Sequence, residues 1–466
     1  MHPQTIQQIC KVVNGRPVGE MDLNAIVDGC VIDSREVQDG DLFFALNGTH
    51  SHGVTFVADA IRNGAAACLV DESESASCDS PHIVVPDCEQ ALSMLARHNR
   101  RSTDALVVGV TGSVGKTTTR GMIAQVLAST HVGIQSPRNF NNHLGVPLSL
   151  LEIEEDDEFA VIEVGASNPG ETRPLSQMVH PEFSVVTRVA PAHMRGFESL
   201  QAVASDKQEL VRALSSDGVA FLNADDLLVS LMASETKGRV VTFGHSTDAD
   251  IRITDVIAQD RILRVTVDGH QYDVPVCGRH LATSVAAAVA IGLEVGISPA
   301  VINDGLQRFQ PEPGRSVVQT IGPWTVIDDS YNANPASVAA GIQTVEEYTS
   351  GRHRIVVLGD MLDLGEQAPD LHFGIGARLA SSSVDHVALI GDFAADVVDG
   401  FLTSGGDINR ISEFSDHSLL LTMLDCIAGD DDVILVKGSR GAAMERVVEQ
   451  LQTLHAPSEN VSRRAA

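Results

Sequence analysis

The segment 105–119, ALVVGVTGSVGKTTT, constrains the fold of this chain more than any other stretch. Its first six residues are apolar and predict a buried strand, and a loop with two glycines follows. Lys116 and Thr117 then open a predicted helix with one apolar face. A strand, a glycine loop and a helix N-terminus in this order form an anion-binding cradle, because backbone N–H groups and the positive end of the helix dipole point into the loop.

The residues of this loop are expected to bind the phosphates of ATP. Lys116 can reach the outer phosphates, and the Thr117 hydroxyl can bind a magnesium ion. The common pattern G-x-x-x-x-G-K-[ST] would require glycine at Val110, so the match is imperfect. A tight strand–helix turn with an incidental lysine is the alternative. The predicted ATP-binding residues of the loop are Thr111, Gly112, Ser113, Val114, Gly115, Lys116, Thr117 and Thr118.

Composition limits the class of protein. At about 150 residues per domain, 466 residues predict three domains. The formal net charge of −30 argues against nucleic acid and anionic membranes as partners. The seven cysteines show no metal-ligand spacing and fit reduced thiols. We find no signal-peptide pattern and no apolar run long enough to span a bilayer, so we expect a cytoplasmic protein, and a monomer.

Short apolar runs alternate with helical patterns along the chain, which predicts an α/β fold with parallel sheets and ligand sites at the carboxyl ends of strands. The predicted strands after the first are 159–164, 184–187, 240–243, 324–327, 355–358, 387–390 and 433–436. Polar or proline-rich breaks occur at 97–104 and 310–314. We therefore expect domains at 1–102, 103–313 and 314–456, followed by a disordered tail at 457–466.

Further motifs extend over nearly the whole chain. They are DSR at 33–35, GDLFFAL at 40–46, NFNN at 139–142, GVP at 145–147, VIEVG at 161–165, AH at 192–193, KQE at 207–209, PGR at 313–315, DDSYNANP at 328–335, GDM at 359–361 and VKGSR at 436–440. Together with the TGSVGKT loop, this set resembles the Mur ligases of peptidoglycan synthesis, a family of ATP-dependent amide ligases.

The resemblance implies both architecture and activity. It implies a central P-loop ATPase-type parallel sheet, flanked by an N-terminal UDP-substrate domain and a C-terminal Rossmann-like domain that binds the incoming amine. The motifs DDSYNANP, GDM and VKGSR favour the member that joins D-alanyl-D-alanine to UDP-N-acetylmuramoyl-tripeptide through an acyl phosphate. Its partners would be these two small molecules and ATP.

The resemblance also implies a catalytic set. Lys116 and Thr117 would serve the phosphates and a first magnesium ion, Glu163 would hold magnesium, and His193 would bind a second ion. Lys207 matches a lysine that carbon dioxide converts to a carbamate, an anion able to sit beside magnesium. From spacing alone, a solvent-facing lysine in the helical segment 200–214 is the alternative.

Other residues are assigned only by the resemblance. Nucleotide contacts beyond the loop are implied for Asn223, His280, Arg315 and Asp329. Substrate contacts are implied for Ser34, Arg35, Asn139, Asn141, Asn142, Tyr331, Asn332, Asn334, Lys437, Ser439 and Arg440. A plain Asx-turn at 329–330 and a structural glycine turn at 437–440 are alternatives. The chain also departs from the family, because Leu281 and Ser284 stand where two asparagines are usual near the adenine.

Three other functions remain open at this stage. A sibling ligase that adds a single amino acid is disfavoured by the lack of an Asp-Asn-Pro-Arg sequence in the third domain. A folate-polyglutamylating enzyme gives no reason for the DSR-containing first domain. A P-loop protein that binds nucleotide without ligation would not need Glu163, His193 and Lys207 together.

Overall fold

A computed structural model describes residues 1–49 and 51–455. The tail at 457–466, for which disorder is predicted, lies outside the described residues. The chain forms three main sheets in sequence order, with helices packed on them, so the predicted α/β class is confirmed. No helix among the described residues combines the length and the apolar character that crossing a membrane would need.

The N-terminal sheet has the strand order β2-β7-β6-β5-β4, parallel from β4 to β7 and antiparallel between β7 and β2. Strands β1 and β3 form a separate antiparallel pair. The strands are β1 Gln4–Thr5, β2 Arg16–Val18, β3 Ile26–Val27, β4 Gly29–Val31, β5 Asp41–Phe44, β6 Ala67–Asp71 and β7 His82–Val85. The helices are α1 Ile6–Val12, α2 Val57–Arg62 and α3 Cys88–Arg101.

The central sheet has the order β16-β15-β14-β13-β12-β11-β8-β10-β9. The strands are β8 Leu106–Thr111, β9 Gly133–Gln135, β10 Phe159–Glu163, β11 Phe183–Val186, β12 Val219–Asn223, β13 Arg239–Gly244, β14 Ile251–Gln259, β15 Ile262–Val267 and β16 His270–Val274. The helices are α4 Lys116–Leu127, α5 Gly145–Leu151, α6 Thr172–Val179, α7 Leu200–Arg212, α8 Leu227–Ser230, α9 Ala282–Glu294 and α10 Pro299–Gln307.

In the parallel part of this sheet, β8, β10, β11 and β13 match strands predicted from the sequence, whereas β9, β12 and β14 were not predicted. The antiparallel meander β14–β16 is an addition that the prediction missed. Residues 262–267 alternate between exposed or half-buried and buried positions, which is the period-two pattern of a half-exposed strand.

The polar break at 97–104 is not a simple linker, because helix α3 runs through its first half. Asn99 is buried and donates hydrogen bonds to two carbonyl oxygens, one at the end of α5 and one just after it. Arg100 donates to the carbonyl oxygen of Val179 and forms an ion pair with Glu182 at 2.6 Å. These polar residues therefore fasten the N-terminal sheet to the central sheet.

The C-terminal sheet has the order β17-β18-β22-β19-β20-β21, parallel except between β17 and β18. The strands are β17 Val317–Ile321, β18 Trp324–Asp329, β19 Arg354–Gly359, β20 His386–Ile390, β21 Ile411–Phe414 and β22 Val433–Lys437. The helices are α11 Pro335–Glu347, α12 Ala368–Ala380, α13 Ala394–Thr403, α14 His417–Ile427 and α15 Glu445–Leu454.

The turn between β14 and β15 reaches over to the C-terminal sheet. Asp260 accepts hydrogen bonds from the backbone and hydroxyl of Thr349 at 2.8 and 2.9 Å. Arg261 donates to the Thr320 hydroxyl at 2.8 Å. The carboxyl ends of strands from the two sheets consequently line a shared cleft.

Two glycines of α12 give a stability prediction that does not depend on function. A Cβ at Gly376 would lie 2.0 Å from the carbonyl oxygen of Val397 in α13, whereas a Cβ at Gly374 would meet nothing within 4 Å. We expect Gly376→Ala to destabilise the protein by about 1–3 kcal/mol through overpacking. The control, Gly374→Ala, should stabilise it by up to about 1 kcal/mol through helix propensity. Thermal unfolding midpoints measure both, and equal midpoints would contradict this packing.

Candidate active site

The glycine loop after β8 has the geometry of a phosphate cradle. Gly112 has φ +148°, and a Cβ there would lie 2.0 Å from Thr187 Oγ1, so only glycine fits. Gly115, with φ +84°, precedes helix α4, which no side chain caps. Among the described residues, Ser113 Oγ is buried without a hydrogen-bond partner. An uncapped helix N-terminus and an unpartnered hydroxyl suit an anionic ligand.

Cations surround this cradle. Lys116 Nζ donates to the carbonyl oxygen of Gly112 at 2.8 Å. Burial lowers the pKa of Lys116, nearby Glu163 opposes that shift, and nearby Arg315 adds to it. A protein with net charge −30 thus places positive groups next to one another in one cleft. Mutual repulsion of this kind is relieved when a polyanion binds.

Glu163, the last residue of β10, is 1% exposed and lines the cleft. Its Oε1 accepts from Asn141 Nδ2 at 2.7 Å, and its Oε2 lies 3.4 Å from Arg120 Nη1. Asn142 instead accepts from the backbone N–H groups of residues 144 and 145, which open α5. The asparagine turn therefore orients the carboxylate and starts a helix.

His193 lies in the loop after β11 with φ +54°. Its Nδ1 is 3.8 Å from Asp363 Oδ2, across the cleft on the C-terminal side. Burial lowers the pKa of His193, Lys116 and Lys207 lower it further, and Asp363 and Glu171 oppose them. The imidazole is consequently biased toward the neutral form, which is the form that binds metal.

Lys207 lies on the buried face of α7, together with Val203, Leu210 and Val211. It is 3% exposed, so the alternative of a solvent-facing lysine is wrong. Burial lowers its pKa to about 7, and Lys116 contributes to this shift. A substantial fraction of neutral amine therefore exists near neutral pH, unlike for an ordinary lysine.

On the C-terminal side, the strand ends of β18 and β22 are joined by an ion pair. Lys437 Nζ lies 2.6 Å from Asp329 Oδ2 and also donates to the carbonyl oxygen of Asn332 at 2.9 Å. Ser439 Oγ donates to a backbone carbonyl oxygen and accepts from the backbone N–H of Leu362. Both Lys437 and Ser439 are buried and line the cleft, but their polar groups already have partners within the chain.

Arg315, just beyond the proline-rich segment 310–314, lies over the ring of Tyr331 at 4.0 Å from its centroid. Arg440 lies on the same ring at 5.8 Å. Two guanidinium groups consequently share one aromatic side chain at the edge of the cleft.

Asn334 caps α11 by accepting from the Ser337 backbone N–H at 2.9 Å.

The cleft has a volume of about 570 Å³ and collects most of the residues predicted from the sequence. These are Ser113, Val114, Gly115, Lys116, Thr117, Thr118, Asn139, Asn141, Asn142, Glu163, His193, His280, Arg315, Asp329, Tyr331, Asn332, Asn334, Lys437, Ser439 and Arg440. The alternative of an incidental lysine after β8 does not account for this convergence.

Several predicted residues do not line the cleft. The Thr111 hydroxyl donates to the carbonyl oxygen at residue 164, and Gly112 and Lys207 are buried and are not among the residues that line the cleft. Asn223 is buried and donates to the carbonyl oxygen at residue 187. Ser34 and Arg35 lie in the turn after β4 in the N-terminal domain, where the Arg35 side chain is 85% exposed.

The structure adds cleft residues that the sequence reasoning missed, among them Thr187, Arg188, Glu171 and Asp363. Thr187 and Arg188 directly follow β11, the parallel neighbour of β8. The rule that ligand sites lie at carboxyl ends of adjacent strands could have identified them. Asp363 has no comparable signal, because its position depends on how the two sheets meet.

The donors in the cleft suit magnesium in one particular mode of binding. No group of three or more His, Cys, Asp or Glu side chains in the described part of the chain is placed to hold a metal by itself. Magnesium commonly takes one or two protein carboxylates and completes its shell with water and substrate phosphates. Thr117 and Glu163 in one phosphate-binding cleft fit that mode.

Three family models match the chain in sequence order. The model "Mur ligase family, catalytic domain" matches residues 26–100, "Mur ligase middle domain" matches 110–292, and "Mur ligase, glutamate ligase domain" matches 307–440. Each of the three main sheets falls largely within one of these matches.

Relatives match over nearly the full length. The UDP-N-acetylmuramoyl-tripeptide–D-alanyl-D-alanine ligase of Bacillus subtilis is 32% identical, over 97% of this chain and 99% of its own. The protein of that name from Escherichia coli is 33% identical, over 96% and 98%.

Solved structures of MurF proteins superimpose on most of this chain. A crystal structure of MurF from Acinetobacter baumannii superimposes with a TM-score of 0.87 at 27% identity, covering 97% of this chain and 99% of that one. MurF from Thermotoga maritima in complex with ADP gives 0.78 at 25% identity, covering 92% and 97%. The family models, the full-length relatives and the superimposed structures together show that the chain belongs to the Mur ligase family.

Proposed function

We propose that this protein joins D-alanyl-D-alanine to UDP-N-acetylmuramoyl-tripeptide and converts ATP to ADP and phosphate. The observation that carries the proposal is one cleft that brings together a phosphate cradle, Glu163, His193 and the C-terminal strand ends. The names of the full-length relatives support the choice of substrates.

The chemistry explains why such a cleft is needed. A carboxylate does not condense with an amine at neutral pH, because hydroxide is a poor leaving group. One carboxylate oxygen of the tripeptide therefore attacks the γ-phosphorus of ATP, which forms an acyl phosphate and releases ADP. The amine of the dipeptide then attacks the acyl carbon, loses a proton, and expels phosphate as the amide bond forms.

The first step brings an anionic carboxylate to an anionic triphosphate, so positive charge must offset their repulsion. The P-loop N–H groups and Lys116 would bind the phosphates, and Arg315 would contact them from the C-terminal side. A first magnesium ion would be held by Thr117 and Glu163 and a second by His193, and when bound magnesium supplies positive charge beside the γ-phosphoryl group.

Lys207 would carry a carbamate. Its neutral amine attacks carbon dioxide, and loss of one proton leaves an anion in place of a cation. The buried position and the depressed pKa of Lys207 favour this reaction, since only the neutral amine is nucleophilic. A carbamate would remove the repulsion between Lys207 and Lys116 and give magnesium an oxygen ligand.

The remaining assignments follow the sheets. Residues 1–102 would bind the UDP-sugar, with Ser34 and Arg35 near the uridine diphosphate. Residues 103–313 would bind ATP, and 314–456 would bind the dipeptide, with Asp329 also near the ribose. The residues that would line the substrate path are Asn139, Asn141, Asn142, Tyr331, Asn332, Asn334, Lys437, Ser439 and Arg440.

A folylpolyglutamate synthase from Mycobacterium tuberculosis in complex with ADP has a TM-score of 0.61 at 16% identity and covers 79% of this chain, a likeness of fold alone. A sibling ligase that adds one amino acid, or a P-loop protein without ligase activity, remains an alternative outcome of the following assay.

The substrate-omission assay tests the activity. We expect stoichiometric ADP, phosphate and pentapeptide product only when ATP, magnesium, UDP-N-acetylmuramoyl-tripeptide and D-alanyl-D-alanine are all present. Product release is followed by coupled phosphate detection and mass spectrometry. Turnover with a single amino acid instead of the dipeptide would favour the sibling ligase, and no turnover with any acceptor would contradict ligation.

Removing the P-loop cation tests the phosphate site. Lys116→Ala should lower kcat at least about 100-fold, because it deletes a charge aimed at the developing transition state. The matched control is Lys237→Ala, an exposed lysine outside the cleft, which should keep wild-type kcat. Near-normal turnover by Lys116→Ala, measured as steady-state ADP formation, would assign the role to another residue.

The carbamate has its own signature. Wild-type protein in ¹³C-bicarbonate should show a carbamate signal by ¹³C NMR that strengthens from pH 6 to pH 8, as more of Lys207 becomes neutral. The signal should vanish in Lys207→Ala and persist in Lys237→Ala. Activity of Lys207→Ala should be partly restored by a short carboxylic acid, whereas Lys207→Arg should not be rescued. A ¹³C spectrum that is the same for the wild type and for Lys207→Ala would disprove the modification, and so would full activity of Lys207→Ala without carbon dioxide.

A further inference from the structure

Arg120 is fully buried on α4, and its guanidinium group has four partners in three separate segments. Nε donates to Gln135 Oε1 of β9 at 3.1 Å. Nη1 donates to the carbonyl oxygen of Arg138 at 2.7 Å and lies 3.4 Å from Glu163 Oε2. Nη2 donates to Glu312 Oε1, in the proline-rich segment between the central and C-terminal sheets.

Glu312 extends this network toward the cleft. Its carboxylate is held by Arg120, while its backbone carbonyl oxygen accepts from the Arg315 N–H at 3.0 Å. The Arg315 side chain then lies on Tyr331 at the cleft. Glu312 therefore contacts α4 through its side chain and the Arg315 backbone through its carbonyl oxygen. These two contacts fix the position of Arg315 relative to α4.

The same arginine holds Glu163 from the opposite side to Asn141. One carboxylate oxygen of Glu163 accepts from Asn141 and the other faces Arg120, so both oxygens are oriented. A single guanidinium can do this because its five N–H donors lie in a rigid fork that reaches several acceptors in one plane. A lysine offers a point charge and could not satisfy the same set.

We propose that Arg120 and Glu312 form a positioning pair that sets Arg315 against the nucleotide phosphates while it orients Glu163. This inference rests on the proposed function, since it assumes that Arg315 and Glu163 act on ATP and magnesium. Neither member of the pair touches substrate; Glu312 acts through Arg315. The arrangement of the C-terminal sheet is thereby coupled to the carboxylate at the end of β10.

A double-mutant cycle tests the coupling between Glu312 and Arg315. Glu312→Gln keeps the shape of the side chain, and because the Glu312 side chain is 37% exposed the variant is expected to fold. It should lower kcat about tenfold and leave KM for the dipeptide within about twofold. In the Arg315→Ala background, Glu312→Gln should cause no further loss, because the residue through which it acts is already gone.

Glu235→Gln is the matched control. Glu235 is also paired with an arginine, Arg212, at 2.6 Å and is 33% exposed, but it lies away from the cleft. Its loss should leave kcat unchanged in both backgrounds. Circular dichroism first establishes that Arg120→Lys is folded. The folded variant should then show the same loss of kcat as Glu312→Gln. A folded Arg120→Lys protein with wild-type kcat would overturn the role of Arg120.

A binding readout separates this inference from the proposed function. The four proteins of the cycle are titrated with a fluorescent ADP analogue, and the loss of affinity caused by Glu312→Gln should disappear when Arg315 is alanine. Multiplicative losses in kcat or in affinity would overturn the positioning pair even if the wild type is an active ligase. If the wild type proves inactive, the proposed function fails, and the affinity cycle still decides whether Glu312 acts through Arg315.

Discussion

Closely spaced positive charge is the constraint around which this cleft is organised. Arg315 lowers the pKa of Lys116, and Lys116 lowers the pKa of Lys207, in a protein whose net charge is −30. Buried charges persist only when they are paired or neutralised. Asp329 compensates Lys437, and Glu163 and Glu312 compensate Arg120. The cations left around the glycine loop are those that a triphosphate would neutralise.

This balance also explains why the site lies between sheets. The acids and bases stand at the carboxyl ends of β10, β18 and β22, where parallel strands expose side chains and backbone N–H groups to a common edge. The segment 310–314 connects the two halves, and Glu312 anchors it on α4. Closing or opening the cleft would therefore change the environment of the phosphates and of Glu163 together.

Much of this could be predicted from the sequence, because local patterns carry it. The strand–loop–helix at 105–119 and the apolar strands that follow are confirmed. Spacing alone left a solvent-facing Lys207 open, but Lys207 shares the buried face of α7 with Val203 and Leu210. The pairing of Lys437 with Asp329 and the contacts of Arg120 with Glu163 and Glu312 depend on residues distant in sequence, which no local pattern encodes.

The departures at Leu281 and Ser284 have a structural counterpart. Ser284 Oγ accepts from the Thr119 hydroxyl at 2.9 Å, so it ties α9 to the P-loop helix. Leu281 is nearly buried and lines the cleft with an apolar surface. Neither position offers the amide groups of asparagine, so the cleft is more apolar at this end.

Oxygen transfer from the substrate carboxylate to phosphate tests the central claim most directly. Tripeptide substrate with both terminal carboxylate oxygens replaced by ¹⁸O is turned over in unlabelled water, and the released phosphate is analysed by mass spectrometry. An acyl-phosphate route predicts one ¹⁸O in each phosphate, because the bridging oxygen leaves with it, and one ¹⁸O in the new amide. Unlabelled phosphate together with amide product would contradict the account.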